Sequence, residues 1–151
     1  MIGSPLAPHG VRKRQDMTLQ TGIRALFLIL ATVAVLGGCS RRHPIYRVTD
    51  QPIPAASRNL SAAALQRTIM EAAIDRGWAA EWKAPGEILA TKAWKDHEAV
   101  VEIRYSHESY TIDHVSTTNL REHGETVHHA YNKLVRALED EIERRLRQAK
   151  H

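Results

Sequence analysis

Cysteine is nearly absent: Cys39 is the only one among 151 residues, so no intramolecular disulfide can form. Long apolar runs are absent too. The longest, residues 25–36 (ALFLILATVAVL), would span roughly 18 Å as a helix, well short of the roughly 30 Å of bilayer hydrocarbon. The glycine-rich phosphate loops G-x-x-x-x-G-K and G-x-G-x-x-G do not occur, which leaves nucleotide binding without support. There is no H-E-x-x-H pair for zinc and no G-x-S-x-G elbow for a serine nucleophile, and residue types alone do not make a catalytic triad. A lasting excess of positive charge is missing as well. The formal charge is +4, but residues 1–38 hold Arg12, Lys13, Arg14 and Arg24 against Asp16 alone, so the remainder carries +1. A nearly neutral remainder has little with which to neutralise a phosphate backbone. The expectation is a protein that is not an enzyme, with no cofactor, no metal and no nucleic-acid partner.

What is present begins at the N-terminus. Basic residues, then the apolar run, then Gly37, Gly38 and Cys39 follow the order of a secretory signal: positive region, apolar core, small residues. The tetrad Leu36-Gly37-Gly38-Cys39 resembles the lipobox of bacterial lipoproteins. That resemblance implies cleavage before Cys39, a thioether to diacylglycerol on its thiol and acylation of its freed amine. Several acyl chains hold a protein durably where a single one is marginal. Ser40, a non-acidic residue after the cysteine, implies by the same resemblance sorting to the outer membrane rather than the inner. Met17 would start a more ordinary signal, leaving residues 1–16 as a misassigned start or an extension.

Residues 39–58 hold Pro44, Pro52 and Pro54 and show no apolar period of 2 or 3.6, so they read as a lipidated, semi-extended tether. Such a tether would hold the domain off the bilayer. Arg41 and Arg42, beside the lipid, either touch anionic head groups or, as is commoner for such a pair, are simply solvated.

Residues 59–151 read as a compact domain. Ser61 is a good N-cap, Leu65, Ile69, Ala72 and Ala73 recur at helical spacing, and Gly77 supplies a stop, predicting a helix over 61–76. Four strands follow by alternation. Trp78, Ala80 and Trp82 lead to the turn Pro85-Gly86; Ile88, Ala90 and Trp94 lead to Lys95-Asp96; Ala99, Val101, Ile103 and Tyr105 return; Tyr110 and Ile112 close the set. Antiparallel pairing about residues 106–109 sets Tyr105 against Tyr110, Ile103 against Ile112 and Val101 against His114. A last helix carries Val127, Tyr131, Leu134, Val135, Leu138, Ile142 and Leu146 at steps of three and four, its acids ahead of its bases. The expected fold is α+β, a two-layer sandwich of helix, four-stranded antiparallel sheet and helix (α-β-β-β-β-α). Its outward sheet face would carry Val100, Glu102, Arg104, Thr111 and Asp113.

Nine histidines invite a metal reading. His9 falls in the signal, His43 in the tether and His151 at the terminus, while His97 and His107 fall in turns at opposite ends of the sheet. His128 and His129 are adjacent on a helix and point about 100° apart, not as the i, i+4 pair that grips one ion. Two other features break pattern. Lys92 falls on the inward face between Ala90 and Trp94, close to His114, which makes either a small polar pocket or a sheet margin where the lysine snorkels. Trp78, Trp82 and Trp94 fit core positions better than a groove lining.

The run Gly77-Trp78, Gly86-Glu87-Ile88-Leu89-Ala90, then 97–103 (HEAVVEI) with Tyr105, Tyr110 and Ile112 resembles a family of small proteobacterial lipoproteins of the outer membrane. So does the closing stretch 116–120 (STTNL) followed by 127–135 (VHHAYNKLV). The resemblance covers nearly the whole chain after Cys39 and implies location and architecture without an activity. Lys92 and Lys133 depart from the family's pattern and put the tightness of the core margin in doubt. Within the matched segment His128, Tyr131 and Asn132 cluster near Asn119, a candidate polar binding site that capping and loop anchoring explain equally well. The sequence thus leads to a membrane-anchored envelope lipoprotein with a binding or accessory role toward an envelope protein or glycan. The alternative is a small-ligand carrier or sensor with a pocket between sheet and helices.

Overall fold

A computed structural model describes residues 42–149 of the chain. The signal segment and the lipobox residues Leu36, Gly37, Gly38 and Cys39 lie outside the described residues.

Serine at position 61 starts the first helix as its residue type predicts: its Oγ accepts the Ala64 N–H at 3.2 Å, and α1 runs Ala62–Asp75. Leu65, Ile69, Ala72 and Ala73 form its buried stripe. Gly77, at φ +72°, ends it, and the Trp78 N–H turns back to the Ala73 carbonyl at 2.9 Å. The chain then zigzags through β3 (Ala79–Ala84), β4 (Glu87–Trp94), β5 (His97–Tyr105) and β6 (Ser109–Thr118). These pair antiparallel in sequence order. The β5–β6 register is Tyr105 with Tyr110, Ile103 with Ile112 and Val101 with His114, as the turn position requires. Beyond His114 one extra residue enters β6: Val100 faces Ser116, so Val115 bulges out and is 49% exposed.

The sheet has five strands, not four. The segment read as a tether supplies two strands: β1 (Arg42–Pro44), which pairs with the short β7 (Thr126–His128), and β2 (Val48–Pro52), which adds to β6. The strand order is β2-β6-β5-β4-β3. Ile45, Val48 and Ile53 are buried in the core, so residues 42–58 belong to the domain. The prolines suggested a linker, but Pro52 ends an edge strand, where a missing N–H goes unnoticed by the ladder. Asp50 has a positive φ, +48°, and the register shifts between Val48 and Gln51, which destroys the alternation by which a strand is recognised. The 3-10 turn Ala55–Ser57 then leads to α1, with the buried Ser57 hydroxyl donating to the Leu146 carbonyl.

The second helix, α2, runs His129–Gln148; Val127 belongs to β7 instead, though it is buried either way. The core lies between the inward sheet residues Ile88, Ala90, Ala99, Val101, Ile103 and Ile112 and the helix residues Leu65, Ile69, Val135, Leu138, Ile142 and Leu146. The architecture is therefore α+β, with two helices, a five-stranded antiparallel sheet and a two-stranded one.

Candidate functional site

Of the four residues expected to make a polar site, three are backbone anchors in the structure and one, Tyr131, is core. His128 caps α2, its Nδ1 accepting the Ala130 N–H at 3.3 Å. Asn132, one turn on, holds the incoming chain from both sides: its Nδ2 donates to the Pro44 carbonyl at 2.8 Å and its Oδ1 accepts the Tyr46 N–H at 3.0 Å. Tyr131 points the other way, into the core, where burial pushes its phenol above the ordinary range; its ring stands edge-on to His114 at 5.2 Å. Asn119 has a left-handed backbone, φ +57°, and donates to the Asp96 carbonyl at 2.6 Å, tying the end of β6 to the β4–β5 turn. His128 and Asn132 thus come together at the start of α2, while Tyr131 and Asn119 are directed elsewhere.

The polar break at Lys92 and His114 has a similar resolution. Lys92 Nζ donates to the Arg76 carbonyl, closing the C-terminal end of α1. His114 reaches toward Glu122, 3.4 Å from its carboxylate, and the same carboxylate accepts from the Thr117 N–H at 2.9 Å and hydroxyl at 2.7 Å. The 3.4 Å approach lacks hydrogen-bond geometry, and His114 Nε2 has no hydrogen-bond partner among the described residues. On the outward sheet face Arg104 lies between Glu102 and Asp113 and pairs with both. Two carboxylates there share one guanidinium, so the charges are paired but not balanced.

An opening that the sequence did not announce lies at the other end of the sheet. A cleft of about 380 Å³ is lined by Ala62, Ala63 and Gln66 of α1, by Trp82, Pro85 and Gly86 of the β3–β4 hairpin, and by Tyr105, Ser106 and His107 at the β5–β6 turn. Trp82 pairs with Ile88 and so points to the inward side, as alternation predicts. Yet it is 48% exposed, not core, because β3 is the sheet edge and the α1 residues beside it, Ala62, Ala63, Leu65 and Gln66, leave a cleft over the indole. Gly86 is required at the turn: φ is +82°, and a Cβ would stand 2.9 Å from the Tyr105 carbonyl oxygen. The cleft has no acidic or basic lining residue apart from the imidazole of His107, whose Nε2 is 3.0 Å from the Leu60 carbonyl. Ser106 Oγ accepts the N–H groups of Glu108 and Ser109 at 3.1 and 3.2 Å. It caps its own turn, as serine commonly does.

Two further facts bear on chemistry. Among the described residues no group of three or more His, Cys, Asp or Glu side chains is arranged to hold a metal ion. No helix among them is long and apolar enough to cross a membrane. No family model, curated protein or solved structure matches the chain.

Proposed function

We propose that this chain is a bacterial envelope lipoprotein, anchored through Cys39 in the outer membrane, whose domain is a non-enzymatic binding or accessory module facing the periplasm. The observation that carries the reading is the ordered series of basic segment, short apolar run and Leu36-Gly37-Gly38-Cys39. The start of the folded domain at β1, just after that series, supports it, as does the resemblance to small proteobacterial lipoproteins. The partner of such a module, an envelope protein or glycan, would find at Trp82 a cleft edged by aromatic side chains and lined by no carboxylate, lysine or arginine. A hydrolase reading gains nothing there, because the Ser106 hydroxyl is engaged with its own turn and His107 with the Leu60 carbonyl.

The carrier or sensor reading is favoured by the same cleft, which opens between α1 and the end of the sheet. The test is the intact mass of protein taken from a bacterial envelope, with membranes fractionated and a Cys39→Ala variant run beside it. The expected mass is residues 39–151 plus three acyl chains in the outer-membrane fraction, lost in the variant. An unmodified or uncut chain would end the reading.

A further inference from the structure

The strap that the prolines disguised changes where the domain must sit. From Cys39 to Arg42, the first residue of β1, there are three peptide steps of about 3.8 Å each, a reach of at most roughly 11 Å. The head-group layer is itself several ångströms thick. A chain acylated at Cys39 therefore cannot lift Arg42 far from the head groups, and β1 is not free to peel away. Arg42 and His43 pair with His128 and Val127, the Ile45 N–H donates to the Glu125 carbonyl at 2.9 Å, and Asn132 grips Pro44 and Tyr46. The corner made by β1, β7 and the first turns of α2 is thereby brought to the membrane.

That corner has the charge a bilayer of anionic phospholipid would select. Arg42 and Lys133 are exposed, and Arg136 lies over the Tyr46 ring at 3.6 Å. The first acid along α2 is Glu139, ten residues in, and it accepts the Tyr46 hydroxyl at 2.7 Å. Glu125 is paired with Arg47 at 2.8 Å, and Glu122 accepts from Thr117, whose neutral donors cancel no charge, so the corner's positive excess rests on Arg42, Lys133 and Arg136 together. The cleft at Trp82 is at the far end: β6 runs ten residues, roughly 33 Å, from the β5–β6 turn to the loop that precedes β7.

We propose that the β1–β7–α2 corner docks on anionic phospholipid head groups, so that the domain lies against the membrane and presents the Trp82 cleft away from it. The proposal rests on the lipid-anchor reading of Cys39 for its place in the cell, but it is tested apart from that reading. Residues 39–151 contain the whole described fold and a single thiol, so the chain can be coupled through Cys39 to a maleimide lipid in nanodiscs of phosphatidylethanolamine with phosphatidylglycerol. A trace of head-group nitroxide lipid then broadens the amide signals of whatever lies close. The expected result is several-fold stronger broadening across 126–133 than at Gly86 and across 106–108, with the contrast falling in discs without phosphatidylglycerol, at high salt, and in an Arg42→Gln, Lys133→Gln double variant. Broadening that is even over the domain, or a contrast indifferent to phosphatidylglycerol and to both substitutions, would overturn it. So would corner signals that respond to protein concentration but not to lipid, which would give the surface to a second copy of the chain. Absence of acyl chains on Cys39 in cells would count against the anchor reading alone.

Discussion

Asn132 shows how one amide organises a whole approach of the chain. Placed a turn after the cap of α2, it satisfies a carbonyl and an N–H on the strap between β1 and β2 that are separated from it by more than 80 residues of sequence. Truncation to alanine leaves the Tyr46 N–H, partly buried, without its acceptor. The expected cost for Asn132→Ala is about 1 to 3 kcal/mol, read as a lower urea midpoint with unchanged slope, and exchange at the Tyr46 amide should accelerate. A midpoint within error of the parent would show that the strap is held by Ile45 and Val48 alone. The sequence marks Asn132 as polar and local to helix two, which is correct. It cannot tell that the partners are Pro44 and Tyr46, because a side-chain amide reads the same whether it faces a ligand or a backbone.

Between elements, the two helices are joined by charge at their exposed seam. Arg145 pairs with Asp75 at 3.0 Å and Glu71 at 2.8 Å, while the buried Glu141 is met by Arg144 at 3.1 Å, Arg76 at 3.5 Å and Arg145 at 3.4 Å. The hydrogen bond from Arg145 holds the Asp75 carboxyl below its ordinary value of 3.8, and that from Arg144 holds Glu141 below 4.5. Groups depressed in the folded state stabilise it above their unfolded values and lose that contribution as pH falls through the folded ones. Unfolding free energy should therefore decline below about pH 4.5, and Glu141→Gln should be less stable at neutral pH with a shallower acid decline. Chemical denaturation at several pH values decides this; equal acid slopes for the two proteins would remove Glu141 from the account. The acids-then-bases order along helix two is visible in the sequence, but their partners on α1 are not. Alternation likewise gave three of the β5–β6 pairs and the inward side of Trp82, and failed to show that α1 leaves about half of that indole uncovered.

For the molecule as a whole the decisive question is where folding begins along the chain. Reading residues 39–58 as a tether makes 59–151 sufficient; the structure places part of the core and one edge strand of the sheet before residue 59. Ile45, Val48 and Ile53 are core residues, the Ile53 N–H donates to the Glu108 carbonyl at 2.8 Å, and β2 completes the sheet beside β6. Burial of three such side chains contributes roughly 1.5 to 3 kcal/mol each, against a total of about 5 to 15 kcal/mol for an ordinary domain. Deleting them would also bare β6 as a long edge strand, inviting association. A chain of residues 40–151 should thus unfold cooperatively on heating, whereas 59–151 should lack that transition, expose apolar surface to a dye and aggregate. A cooperative, monomeric 59–151 would restore the tether and give the domain freedom to stand off the bilayer. On the proposed anchor, its failure to fold would leave only positions 40 and 41 of the sequence between Cys39 and the first strand, a length that would keep the fold at the membrane surface.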